Sequence, residues 1–273
     1  MQASLRWTPP GGTLGTISRE AAARADELEA RRAELERAAA HAPSGPSFIA
    51  ALNGGTVALI AEVKRRSPSK GAIAPGLDAV SQARAYVSGG AAAISVLTER
   101  DHFGGSTEDL VDVREAVRVP ALKKDFHVDA IQLVEARAIG ASAALLIARA
   151  LSPSTLRELL GVGRALGLEL LVEVRDEAEL ERALEGGAVM IGVNNRNLET
   201  LVIDPSTAER LIPLVPSGII AVAESGITGR ADVERYAAAG ADAVLVGSSI
   251  SAAADPVAAT AALGGVRRRA RGD

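Results

Sequence analysis

The chain contains no cysteine. That excludes a disulfide framework, a thiolate metal site and a cysteine nucleophile, and it fits a reducing, cytoplasmic setting. Aromatic residues are scarce, at 2%, so a core has to be assembled from Ala, Val, Leu and Ile. Histidine occurs only at His41, His102 and His127, without metal-ligand spacing. Long hydrophobic runs are missing: ASAALLIA, from Ala141, falls well short of the roughly 20 residues a membrane span takes. The opening MQASLRWTPPGG has no apolar segment of the signal-peptide type. A net charge of −4 gives no basic surplus for bulk nucleic-acid binding. The expectation is a cytoplasmic protein with neither a membrane nor a nucleic acid as partner.

What is present is a long-range repeat. Gly-Ala followed by an apolar run occurs as GAAAISVL from Gly90, GASAALLI from Gly140, GAVMIGV from Gly187 and GADAVLVG from Gly240. The spacings are 50, 47 and 53 residues. Each Gly follows a helix-like stretch and suits a C-cap; each run suits a buried parallel strand. Four more strands read from Val57 (VALIAEV), Val119 (VPALKKD), Leu168 (LELLVEV) and Ile219 (IIAVAES). Helical patterns such as LDAVSQARAYVSG and DEAELERALEGG separate consecutive strands. Eight strand–helix units predict an α/β fold, a (β/α)8 barrel. A doubly wound open sheet is the alternative, but no G-x-G-x-x-G follows the first strand.

With 273 residues and 48% hydrophobic content, the whole chain, 1–273, is expected to form one barrel domain, with 1–55 as an N-terminal arm and extra helices. The spacing predicts one long helix from Ile17 to Ala40 and a short one from Phe48, both suited to capping one end of the barrel. WTPPGGT, from Trp7, reads as a flexible arm. The basic run from Arg267 to Arg271 reads as a solvated tail or helix end.

Barrel chemistry sits at the C-terminal ends of the strands. Strand one ends on Glu62 and Lys64, which alternation places on one face with Ala58 and Ile60. Strand three ends on Lys123 and Lys124, and periodicity leaves open which of them faces the mouth. Glu173 closes strand five, Asn194 and Arg196 strand six, and Glu224 and Ser225 strand seven. AESGITG and VGSSI, after strands seven and eight, are Gly/Ser-rich; the N–H groups of Gly226, Gly247 and Ser248 suit phosphate oxygens.

These segments resemble a known family. LIAEVKRRSPSKG, SVLTERDHFGGS, LKKDF, LLVEVRDEAEL, IGVNNRNLET and VAESGI, in order between Phe48 and about Ser249, are similar to indole-3-glycerol-phosphate synthase. The resemblance implies a lyase of tryptophan biosynthesis that uses no metal or organic cofactor. It closes the ring of 1-(2-carboxyphenylamino)-1-deoxyribulose 5-phosphate, a small phosphorylated substrate, with loss of CO2 and water. It further implies Lys64 at the substrate carboxylate, Glu62 assisting proton transfer, Lys124 as general acid and Glu173 as general base. Asn194, Arg196 and Glu224 would shape the pocket; Ser67, Ser225, Gly226, Gly247 and Ser248 would contact phosphate and hydroxyls. Arg65, Arg66 and Lys70 lie where they could steer or cover an anion. His127 departs from the family's usual apolar residue after KDF, and VGSSI is one of several variants at the eighth loop. A monomer or weak homo-oligomer is expected. A Schiff-base aldolase using Lys123 or Lys124, and a non-catalytic phosphate-binding barrel, are the competing readings; the second conflicts with the presence of Glu62, Lys64, Lys124 and Glu173 together.

Overall fold

The computed structural model describes residues 7–271. Eight parallel strands close into a barrel in sequential order. They are β1 (Ala58–Val63), β2 (Ala93–Leu97), β3 (Ala121–Lys124), β4 (Ala143–Ile147), β5 (Glu169–Val174), β6 (Met190–Asn194), β7 (Ile220–Glu224) and β8 (Ala243–Val246). Closure is direct: β1 pairs with β2, Ile60 opposite Ala93, and with β8, Leu59 opposite Val244. The predicted barrel is the observed one. The four repeat glycines, Gly90, Gly140, Gly187 and Gly240, all take positive φ, between 79° and 94°, as the turn from helix into strand requires.

The period of two sorts each strand into two faces. On β1, Leu59, Ala61 and Val63 face outward into the layer between sheet and helices. Ile60 belongs instead to the barrel interior, with Leu122, Leu171, Val222 and Leu245. Helices between the strands are capped by side chains: Asp78, Ser106, Asp129, Ser152 and Asp176 each accept a hydrogen bond from a first-turn N–H.

The N-terminal region differs from the single predicted helix. It forms α1 (Gly12–Glu29) and α2 (Arg32–His41), followed by α3 (Phe48–Leu52). The apolar stripe of Ala21, Ala25, Leu28, Leu35 and Ala39 is interrupted at Arg32. The break at Ala30 and Arg31 leaves Arg32 in solvent between Glu29 and Glu36, while Ala25, Leu35 and Ala39 stay buried against Ile131 and Val134. Nor do the helices cap one end. Phe48 and Leu52 of α3 pack on the interior at the strands' N-terminal side, where Glu169 accepts from Ser47 Oγ at 2.7 Å and Ile49 N at 2.8 Å. Leu14 and Ile17 of α1 stand at the opposite mouth, at the C-terminal ends of the strands.

Both chain-end expectations are corrected as well. The segment from Trp7 is tied down: Trp7 Nε1 donates to Arg149 O (3.2 Å), Arg149 to Thr8 O (2.7 Å), and Gly11 N to Glu199 Oε1 (2.7 Å). The basic tail is latched by Asp242, a buried carboxylate below β8. Arg271 pairs with it at 2.7 Å, and Arg268 pairs with its other oxygen. A buried carboxylate needs such a partner, and nothing local in the sequence shows which arginine supplies it.

Candidate active site

The strand ends converge as alternation predicts for β1, and the structure resolves what alternation left open on β3. Lys123 points outward and pairs with Glu135 at 2.5 Å. Lys124 points into the mouth. Its Nζ lies 3.9 Å from Glu62, 3.7 Å from Glu173 and 3.4 Å from Glu224. One ammonium thus sits among three carboxylates drawn from β1, β5 and β7.

Burial makes this cluster electrostatically strong. It opposes the charge on Lys124, but Glu224, Glu62 and Glu173 outweigh it and hold the lysine's pKa above the ordinary range. Burial likewise opposes charge on Glu62, yet Lys64 and Lys124 pull its pKa below the usual carboxylate value. Glu224 goes the other way. Burial, together with Glu173 and Glu62 and against the pull of Lys124, raises it to about 8. One of its oxygens, Oε1, has no hydrogen-bond partner. The same cluster therefore holds an ammonium, an ionised carboxylate and a carboxyl group that is protonated near neutrality.

Neighbours fix these groups. Lys64 donates to Glu62 Oε1 at 3.0 Å, and Ser95 Oγ to Glu62 Oε2 at 3.3 Å. Asn194 Nδ2 donates to Glu173 Oε1 at 2.8 Å, and Asn194 Oδ1 accepts from Arg196 N at 2.8 Å. Arg196 also donates to Leu201 O at 2.9 Å. Two glycines leave room for the carboxylates. A Cβ on Gly192 would lie 2.1 Å from Glu224 Oε1, and one on Gly247 would lie 2.7 Å from Glu62 Oε1.

Two adjoining cavities open above the cluster, of about 710 and 700 Å³. Glu62, Lys64, Lys124, Arg196 and Ser225 line both. The first also touches Ser67, Glu173 and Asn194 and has an apolar wall of Leu14, Ile17, Phe103, Phe126, Leu145, Ile147 and Leu198. Lys64 sits 5.7 Å from the Phe103 ring centroid, a cation–π distance. The second is lined by Lys70, Glu224, Gly226, Gly247, Ser248 and Ser249. Among the described residues, the N–H groups of Gly226, Ile227, Ser248 and Ser249 donate to no protein acceptor. All twelve site residues expected from sequence border one cavity or both. Arg65 does not: it is committed to Asp109, at 2.5 and 2.8 Å, and to two backbone carbonyls.

The geometry thus offers an acid–base cluster, an apolar slot beside it and an anion-suited recess on the far side. A family model for indole-3-glycerol phosphate synthase matches residues 14–263. The chain belongs to the indole-3-glycerol phosphate synthase family. It is 52% identical over 230 residues to an indole-3-glycerol phosphate synthase of Streptomyces griseus, covering 84% of this chain and 86% of that protein. It is 49% identical over 253 residues to the one of Mycolicibacterium vanbaalenii, covering 93% and 90%. Among solved structures, 3-hexulose-6-phosphate synthase from Salmonella typhimurium superposes with a TM-score of 0.62 over 76% of this chain and 96% of that one, at 19% identity. That likeness concerns the barrel fold alone.

Sequence reasoning passed over several lining residues of this family member. The apolar wall carries no polar signature, and Leu14, Ile17 and Leu198 reach it only through tertiary folding. Gly192 did leave a trace: a glycine inside a strand signals a close approach, here by a carboxylate.

Proposed function

We propose that this chain is an indole-3-glycerol-phosphate synthase that converts 1-(2-carboxyphenylamino)-1-deoxyribulose 5-phosphate to indole-3-glycerol phosphate, CO2 and water. The observation that carries this reading is Lys124 among Glu62, Glu173 and Glu224, beside an apolar slot, in a chain of this family. The substrate's aromatic ring occupies the slot against Phe103 and Phe126. Its phosphate occupies the recess of Gly226, Gly247 and Ser248, with Ser67 and Ser225 at the intervening hydroxyls.

Lys124 donates a hydrogen bond and then a proton to the keto oxygen, which makes the carbonyl carbon electrophilic. The ring carbon bearing the carboxylate attacks it, forming the new carbon–carbon bond. Lys64 orients that carboxylate until it leaves as CO2, and the electrons of the broken bond restore the aromatic ring. Glu62, in contact with Lys64, assists the proton movements. Glu173 then removes the proton from the carbon beside nitrogen while the former carbonyl oxygen, now a hydroxyl, takes a second proton from the Lys124–Glu173 cluster and leaves as water. Asn194 holds Glu173 in place, and Arg196 and Glu224 shape the polar wall. Each positioned proton transfer is worth roughly 10²–10⁴-fold in rate. Phosphate binding remote from the reacting atoms supplies orientation.

This makes the chain a carboxy-lyase, working in the cytoplasm as a monomer or weak homo-oligomer, with 1–273 as one domain. A Schiff-base aldolase needs a lysine with a lowered pKa; Lys124 is raised and Lys123 is spent on Glu135. The test is to mix purified protein with the substrate, EDTA present, and to follow indole fluorescence and CO2 release. Equimolar indole-3-glycerol phosphate and CO2 are expected. A folded protein that binds the substrate and leaves it unchanged overturns the reading in favour of a non-catalytic barrel.

A further inference from the structure

The second asparagine of GVNNRNL is unused by the chemistry above, yet it is one of the most completely engaged side chains in the molecule. Asn195 is fully buried. Its Nδ2 donates to Ser225 O at 3.0 Å and to Tyr236 Oη at 2.9 Å; its Oδ1 accepts from Ala208 N at 2.9 Å. Its backbone N–H donates to Glu224 O at 3.0 Å. It faces away from the mouth, as its place one residue after the inward Asn194 dictates. Its partners Ala208 and Tyr236 belong to helices on the outside of the barrel, α-helices Ser206–Leu211 and Arg230–Ala238.

What Asn195 holds is strained. Ser225 has φ 66°, one of only two non-glycine residues with positive φ among the described residues, and Gly226 follows with φ 78°. Serine adopts that region at a cost, so something must select it. The peptide between them is trans. Its carbonyl and its N–H therefore point in opposite directions. With the Ser225 carbonyl drawn outward to Asn195, the Gly226 N–H is turned inward, to the recess lined by Lys70, Gly247 and Ser248.

We propose that Asn195 is a positioning residue for the phosphate end of the substrate: its buried amide clamps the Ser225 carbonyl and so aims the Gly226 N–H at the phosphate. The proposal rests on the synthase reading for the identity of that anion. It goes beyond it by assigning phosphate recognition to a residue that never touches the ligand.

The test compares calorimetric Kd values for indole-3-glycerol phosphate and for its dephosphorylated counterpart, for the unaltered protein and for Asn195→Asp at pH 8. Aspartate keeps the shape and the acceptor for Ala208 N–H, and as a carboxylate it has no N–H for Ser225. Asn195→Ala, which removes the clamp without adding charge, is read the same way. Tyr236→Phe leaves the clamp in place and serves as the control. The expected result is a loss of at least tenfold in the preference for the phosphorylated ligand in both Asn195 variants. Affinity for the unphosphorylated one and kcat at saturation stay within about threefold, and Tyr236→Phe keeps the full preference. An unchanged preference in a folded Asn195 variant overturns the proposal, as does an equal weakening of both ligands, which marks a general structural role. If the unaltered protein shows no preference for the phosphorylated ligand, the phosphate reading of the recess itself is wrong.

Discussion

Replacing Gly192 with alanine tests whether the position of Glu224 matters to the cluster. The new Cβ would stand 2.1 Å from Glu224 Oε1, 3.2 Å from its Cδ and 3.3 Å from Leu171 Cδ1. Ordinary contact between heavy atoms begins near 3.5 Å, so the carboxyl group has to retreat by roughly 1 Å or more. Glu224 is fully buried and lies 3.4 Å from Lys124, so its retreat pulls apart the arrangement that sets the lysine. Displacements of about 1 Å at reacting groups cost on the order of 10²-fold in rate. Overpacking a core costs about 1–3 kcal/mol of stability, which a protein of this size tolerates. The assay is kcat for ring closure, with thermal unfolding recorded alongside. The decisive comparison is a double-mutant cycle. In Glu224→Ala the clash partner is gone, so adding Gly192→Ala has to change kcat by no more than about twofold, the additivity limit for independent sites. Full activity in Gly192→Ala, or an undiminished effect of it beside Glu224→Ala, refutes the reasoning.

Glu224 and His127 titrate in opposite senses. Glu224 is raised to about 8, so its contribution to stability is present at pH 4.5 and is lost as the pH rises through 8. Glu224→Gln is expected to flatten that decline in urea unfolding measured between pH 5 and 8; an unaltered slope contradicts it. His127 is buried, which together with Lys123 lowers its pKa to about 4, with Nδ1 2.7 Å from Leu145 O and Nε2 unpartnered. Its stabilising contribution is present above pH 6.5 and is lost as the pH falls through 4, so His127→Leu is expected to resist acid better over that window. Loss of stability at equal rates in both proteins contradicts this. Glu173→Gln is expected to slow turnover by roughly 10²–10⁴-fold with substrate affinity kept; a kcat within a few-fold of the unaltered protein removes Glu173 from the base role.

The barrel was legible because its signals are local and repeated. Gly-Ala before an apolar run marks the helix-to-strand turn ahead of every second strand, and period-two alternation put Glu62 and Lys64 on one face with Ile60, the face the closed barrel turns inward. Other features depend on partners far away in the chain. Lys123 and Lys124 are adjacent and chemically identical, and only the register of β3, with Glu135 on the helix Ala130–Ala138, separates them. The helix break at Ala30 and Arg31 serves packing on that same helix. The tail arginines read as solvated because Asp242, their partner, is distant in sequence and buried beneath β8. Asn195 carried no signal of its own in the sequence, because its partners Ser225, Ala208 and Tyr236 meet it only in the folded chain.

The most direct measurement on the central claim is single-turnover ring closure by Lys124→Ala, with substrate affinity measured on the same sample. The account predicts a loss of at least about 10³-fold in the chemical step with substrate affinity kept within a few-fold. A variant that still closes the ring within a few-fold of the unaltered rate contradicts the assignment of Lys124 as the proton donor.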